Sequence, residues 1–495
     1  MSPASPATPA TLAADVAATL QPGFVGTSVP DWLVAAHAGG LASVCLYGDN
    51  ISPDGGLAPV CTDATRRLPG ILLATDEEGG DVTRVHYPAG STAVGNAVLG
   101  RLDDPATTRA VAAGIGAELT DLGIGLDLAP SVDVNSSPDN PVIGVRSFGA
   151  DPARVSRHGA AWVDGLQSRG VAACAKHFPG HGDTATDSHH DLPRIDAPLT
   201  VLHERELAPF RAAVDAGVAT IMTSHIIVDA LDPNRPATFS PTVLSVLRDD
   251  LGFAGVIVSD ALDMAGASAQ TGIPEAAVRA LLAGVDLLCL GSATSEERYS
   301  AVHAAIVAAV ECGRLPRERV AQAAGRVRDL AAATAAHLTA SDAGALPPAT
   351  TAADAGDAAV RGASPVLADD VVARACHLSD AARSWIANPS PAAVVQVGSV
   401  ANLAVGDVSW GPAGLGATVA EPEVADGAKV AVVGRAMAPE HPAHAVAQRL
   451  RAAGHDVVLV ECGWPRGGAD VETFGGSPAV ARALLAVLLG EVSVP

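Results

Sequence analysis

The chain has 495 residues, too many for one ordinary core, and 48% of them are hydrophobic, enough to fill two. Its formal net charge of -23 excludes a nucleic-acid surface, because phosphate binding needs a basic footprint. No apolar stretch approaches the length of a membrane span, and MSPASPATPATLAADVAATL lacks the basic start and long apolar centre of a secretion signal. The seven cysteines are scattered without a CxxC pair, several inside apolar runs, as small buried hydrophobes in a reducing compartment would be. A soluble, cytoplasmic protein without a membrane partner is expected.

In chain order, short apolar runs alternate with Ala-rich amphipathic stretches. The runs are LASVCLYGDN (41–50), GILLATDEEGG (70–80), GIGLDLAPSVDVN (123–135), AACAKHFPGHG (172–182), VATIMTSHI (218–226), GVIVSDALDM (255–264) and VDLLCLG (285–291). Between them lie helix-like segments such as TTRAVAAGIGAELTDLG and SPTVLSVLRDDLG. Strand–helix alternation predicts a parallel sheet, and seven such runs over about 300 residues predict a TIM-type (β/α)8-like barrel. An eighth strand is not evident. Polar residues collect at the carboxyl ends of the runs: Asp76, Glu77 and Glu78, then Asp133, Lys176 and His177, His225, and Asp260. In a barrel these ends open onto one face, where active sites are built.

The barrel is assigned to residues 1–335. Residues 336–362, rich in Ala, Thr, Asp, Gly and Pro, read as a linker. Beyond them AAVVQVG, KVAVVGRA and DVVLVECG alternate with helical segments, predicting a small α/β sandwich over 363–495. It contains neither GxGxxG nor a P-loop, so no nucleotide cofactor is expected.

The densest chemistry is KHFPGHGDTATDSHHD (176–191), with four histidines, three aspartates and Lys176, one of two lysines in the chain. The Pro-Gly break between His177 and His181 precludes the continuous helix of an HExxH zinc site. A loop-borne metal site drawing on His177, Asp187, His189 or His190 would lack further ligands elsewhere, and none is expected. Proton transfer fits better. Asp187 and His189 lie two apart, so in an extended loop the carboxylate can orient the imidazole as a general acid/base. Asp260, at the end of an apolar strand, is placed to attack an electrophilic carbon. For a glycoside, such a pair gives hydrolysis with retention.

DEEGGDVTR (76–84), APSVDVN (129–135), NPVIGVRSFG (140–149), KHFPGHGDTATDSHHDLP (176–193), IMTSHI (221–226) and VIVSDALDM (256–264) resemble, in order, the motifs of glycoside hydrolase family 3. They match its branch of bacterial β-N-acetylglucosaminidases over roughly residues 20–335. The C-terminal part is similar to the second domain of two-domain members. The resemblance implies Asp260 as nucleophile and His189 as acid/base, oriented by Asp187. It implies Asp76 and Arg84 as ligands of sugar hydroxyls, with Arg146, Lys176 and His177 completing the pocket. Glu77 and Ala261 depart from the Gln and Asp frequent in the family.

The resulting expectation is a retaining glycosidase that removes terminal β-linked N-acetylglucosamine from small cell-wall or chitin saccharides, without cofactor, as a monomer or homodimer. Alternatives are a dual-specificity β-glucosidase, a phosphorylase using phosphate as acceptor, and a non-catalytic sugar-binding protein.

Overall fold

The computed structural model describes residues 11–53, 56–184, 192–269, 271–342, 366–399 and 404–494. Eight short parallel strands form the first unit: β1 (Leu20–Gln21), β2 (Ser43–Cys45), β3 (Leu72–Thr75), β4 (Leu126–Asp127), β5 (Ala172–Phe178), β6 (Thr220–Thr223), β7 (Val256–Val258) and β8 (Leu288–Cys289). Strands β2 to β7 pair in that order as one sheet, and β1 pairs with β8. Two joints close the ring. A parallel bridge links Val258 to Leu287, and Cys45 donates its N–H to the Pro22 carbonyl. The strand that no apolar run announces is thus Leu20–Gln21, upstream of every predicted one.

Side-chain alternation explains the two apolar layers. Leu72, Ala74, Ala172, Cys174, Val256 and Val258 point into the barrel, while Leu73, Ala173, Ile257 and their like meet the surrounding helices. The interior is narrow and filled by Ala, Val, Leu, Met and Cys, which suits a chain only 3% aromatic. Its amino end is stopped by Val327 and Ala331 of the helix Arg317–Asp342. That helix runs into the stretch read as a linker, and residues 343–365 lie outside the described ones.

After β5 and β6 the chain makes an excursion that the apolar runs did not signal. Arg194–Ile195, Ile227–Val228 and Asp232–Pro236 form a separate three-stranded sheet above the barrel.

The second unit is a five-stranded sheet: β9 (His377–Leu378), β10 (Ala392–Gln396), β11 (Lys429–Gly434), β12 (Val457–Glu461) and β13 (Val471–Glu472). Its order is β9-β13-β12-β11-β10, parallel except at β9. It docks on the barrel through Asp81, whose Oδ1 accepts the Gly476 N–H at 2.9 Å, and through Arg101, which donates to the Ala375 carbonyl.

Candidate functional site

Continuing the inward alternation past the strand ends places the site. Residues 72 and 74 of β3 lead to Asp76 and then Glu78; 172 and 174 of β5 lead to Lys176; 256 and 258 of β7 lead to Asp260. All four line one cavity of about 400 Å³ at the carboxyl mouth of the barrel. Arg84, Arg146, His177 and His181 line it too, and Ala404 of the second unit forms part of its wall.

A chain of charges crosses one side of this cavity. Lys176 Nζ lies 2.8 Å from Asp76 Oδ1 and 2.8 Å from Glu78 Oε1. Arg146 grips Glu78 with two parallel bonds, Nη2 to Oε1 at 2.7 Å and Nε to Oε2 at 2.9 Å. Burial would raise the Glu78 carboxyl, but Arg146 and Lys176 hold it well below the ordinary carboxylate range. Burial would likewise lower the Lys176 ammonium, but Asp76 and Glu78 hold it above the usual lysine range. Both shifts say that Glu78 and Lys176 are ionised at neutral pH. The members of the chain are unequally open. The side chain of Asp76 is 18% exposed, against 2% for Lys176 and Glu78. Asp76 is therefore the most open member of the chain, and the other three hold its direction.

His177 is held on both ring nitrogens. Nδ1 lies 2.7 Å from Asp133 Oδ2, and Nε2 lies 3.4 Å from Arg146 Nη2. Because a guanidinium only donates, the hydrogen-bond pattern assigns the proton to Nδ1. Asp133 also accepts the N–H groups of His177 and His181, at 3.1 and 2.7 Å. Burial raises its carboxyl, yet His177 leads the interactions that leave it below the ordinary range. Burial first, then the neighbouring His177, pushes the His181 imidazole down to about 4, so it is neutral at working pH.

The loop beginning at His177 is anchored from beneath. A Cβ at Gly182 would lie 1.7 Å from the Val134 carbonyl, so only glycine lets the two backbones approach. At the loop's base Asp183 and Glu206 share Arg205. Glu206 ends a π-turn, Leu202–Glu206, which carries it inward against Gly180. Burial raises its carboxyl to about 7 despite Arg205.

Asp260 Oδ1 accepts its neighbour's N–H, from Ala261, at 2.8 Å. The Ala261 carbonyl is met by His225 Nε2 at 3.0 Å, which braces the turn behind the carboxylate. Arg84 lines the cavity while donating to the carbonyls of Thr83 and, across the domain boundary, Ala404 at 2.8 Å. Glu77 faces away from the cavity: its Oε2 accepts from Thr83 Oγ1, Arg84 N and Val85 N and organises the DEEGGDVTR turn.

The structure thus brings together Asp76, Arg84, Arg146, Lys176, His177 and Asp260. Asp187, His189 and His190 lie outside the described residues, and among those described no group of three or more His, Cys, Asp or Glu could hold a metal ion. Sequence reasoning noted Glu78 and Asp133 at strand ends but gave them no task. Period-2 projection would have separated Glu78 from Glu77, whereas nothing local marks Asp133 as the partner of His177.

The glycosyl hydrolase family 3 N-terminal domain matches residues 28–330. Beta-hexosaminidase A of Pseudoalteromonas piscicida is 36% identical over 301 residues, 57% of this chain and 50% of that protein. Beta-hexosaminidase LpqI of Mycobacterium tuberculosis is 36% identical over 280 residues, 55% of this chain and 71% of the relative. The chain therefore spans about half the length of the first relative and over two-thirds of the second. A solved glycoside hydrolase family 3 β-N-acetylglucosaminidase from Paenibacillus sp. superposes with a TM-score of 0.80 at 28% identity, over 98% of this chain and 97% of that one.

Proposed function

The chain belongs to glycosyl hydrolase family 3, and on that premise we propose that it is a retaining glycosidase releasing terminal non-reducing β-linked N-acetylglucosamine from small cell-wall or chitin saccharides. The observation that carries this reading is the meeting of Asp260 with the Asp76–Lys176–Glu78–Arg146 chain in one cavity. The names of the relatives supply the sugar.

In this reading the sugar lies with its hydroxyls against Asp76, which Lys176 holds in place. The Asp260 carboxylate attacks the anomeric carbon as the bond to the leaving oxygen breaks. His189 gives that oxygen its proton, and Asp187 keeps the imidazole in the donating tautomer. His189 then takes a proton from water as the water attacks the glycosyl–Asp260 ester, and free Asp260 returns. His177, fixed between Asp133 and Arg146, contacts the sugar and leaves proton transfer to His189. Arg84 binds the sugar's hydroxyls from the rim beside Ala404.

The test is trapping with a 2-fluoro glycosyl donor followed by peptide mass analysis. A label on Asp260 is expected; a label on another carboxylate ends the assignment. Turnover of aryl β-N-acetylglucosaminide and aryl β-glucoside, each with and without phosphate, settles sugar and acceptor together. Faster loss of the N-acetyl substrate, unaffected by phosphate, is the expected outcome. Replacing His189 with Ala should give a burst followed by slow turnover that azide accelerates, since azide needs no base; His190→Ala should not.

A further inference from the structure

Between the two units lies a second cavity, of about 120 Å³. On the barrel side its wall is Asp81 and the 138–146 loop, and the loop shares Val142 and Arg146 with the saccharide cavity. On the other side are residues just past the carboxyl ends of β11 and β12, the edge at which α/β sheets present ligand crevices. Two guanidiniums of that edge, Arg435 and Arg466, face the cavity.

Neither guanidinium is hydrogen-bonded to a described residue through its side chain. The Arg435 side chain is only 9% exposed, and its Nη1 is buried without an acceptor. Trp410 covers its face, with the ring centroid 4.7 Å from Cζ. The nearest carboxylate oxygen, Asp81 Oδ2, is 3.8 Å away, beyond hydrogen-bond distance, while Oδ1 of the same group is committed to Gly476. Arg466 has Asp139 as its ion-pair partner, again 3.8 Å off, on a side chain 77% exposed to screening water. A buried guanidinium carries five N–H donors and is costly to leave without acceptors. Here one such guanidinium, Arg435, and the partly exposed Arg466 border one cavity in a chain whose net charge is -23. The volume would hold about four waters, or one small tetrahedral or planar anion.

We propose that this interdomain cleft binds a compact oxyanion, a phosphate or carboxylate group, between Arg435 and Arg466. The planar fork of a guanidinium matches the two oxygens of either group. Bound there, the anion supplies the acceptors that Arg435 lacks and ties the second unit to the loop carrying Arg146. The anion comes either free from solution or attached to the leaving group of the saccharide.

The first experiment titrates the full chain with inorganic phosphate at fixed ionic strength and needs no catalytic activity, so it stands or falls apart from the glycosidase reading. Saturable heat is expected, with binding about tenfold or more weaker in R466Q, the ratio set by one charge-assisted hydrogen bond. Arg466 lies outside the saccharide cavity, so R466Q also separates this site from phosphate bound beside Asp260. R435K, which keeps the charge but not the fork, should weaken binding in the same direction. The second experiment, resting on the glycosidase reading, compares aryl glycosides with and without a carboxylate on the leaving group. A lower KM for the carboxylated one, abolished by R466Q, assigns the anion to the leaving group. A phosphate response without that preference assigns a free anion. No saturable response to phosphate and no carboxylate preference means that the cleft holds water only and overturns the proposal, as does a response that R466Q leaves unchanged.

Discussion

Two buried ion networks sit at opposite ends of the same barrel. At the carboxyl mouth, Glu78 and Asp76 are matched by Lys176 and Arg146, and the chain borders a cavity. At the amino end, Asp286 opens β8 and is met by three arginines, Arg248, Arg319 and Arg326, whose remaining bonds go to main-chain carbonyls of Phe253, Gly255, Leu281, Gly284 and Val285. Asp286 also accepts the Ile257 N–H of β7, so it seals a strand joint and the helix beneath it. The chemistry is the same at both ends, and strand polarity decides its use. Groups before a strand have only backbone to bind, whereas groups after it face the open mouth.

Replacing residues at each end should separate fold from function. Asp260→Ala should lower turnover by several orders of magnitude while the melting temperature holds or rises, if the carboxylate is the nucleophile proposed above and serves the reaction rather than the packing. Melting below wild type would place Asp260 in the structural class. Asp286→Ala should do the reverse. It leaves three guanidiniums without their common anion and should cost about 3–5 kcal/mol of stability by denaturant midpoint. Turnover per folded molecule should stay near wild type.

Glu78→Gln is the intermediate case. Lys176 and Arg146 then lose their shared charge, Asp76 is less firmly held, and KM should rise about tenfold, one charge-assisted bond's worth. A change confined to stability would make the upper network a second copy of the lower one.

The smallest expected effect is a pH tilt beneath the histidine loop. Glu206 titrates near 7 when folded and near ~4.3 when unfolded, so folding retains a proton that the unfolded chain releases. Its contribution is present below the unfolded value and lost as pH rises to about 7. Glu206 faces Arg205, Asp133 and Asp183; the Arg205 guanidinium is held above its ordinary value and the Asp133 carboxyl below its own. Glu206→Gln should therefore melt a few degrees above wild type at pH 8 and match it at pH 4. His181 tilts the other way. Folded it titrates at about 4 and unfolded near ~6.5, so its contribution is lost as pH falls between those values. His181→Asn should flatten the acid side of the stability curve. Parallel curves for both variants and wild type would remove these two groups from the pH response.

Much of this was legible along the chain because strands announce themselves locally. Seven runs of Val, Leu, Ile and Cys marked β2 to β8, and the polar residues closing five of them marked the mouth. What stayed hidden depends on partners distant in sequence. β1 is two residues long, Leu20–Gln21, and is a strand only because β8 pairs with it, while Cys45 of β2 donates to the Pro22 carbonyl just beyond it. Arg146 resembles a sugar ligand by motif, yet much of its guanidinium is committed to Glu78, 68 residues earlier. Arg435 and Arg466 lie in or beside a segment whose resemblance to a second domain named no site residue, and only the docking of the two units gives them a cavity to face.

The β1–β8 seam has a consequence for synthesis. Asp15 and β1 are made before the rest of the barrel, but their partners are Leu288, Cys289, Arg317 and Arg328. Through most of translation the nascent chain is an unclosed sheet with one waiting edge. Closure needs the latest residues of the barrel to find the earliest, a long-range contact of the kind that folds slowly and exposes strand edges meanwhile. A chain released between residues 290 and 317 would leave the ring closable but unlocked, since it lacks the arginines that clamp Asp15.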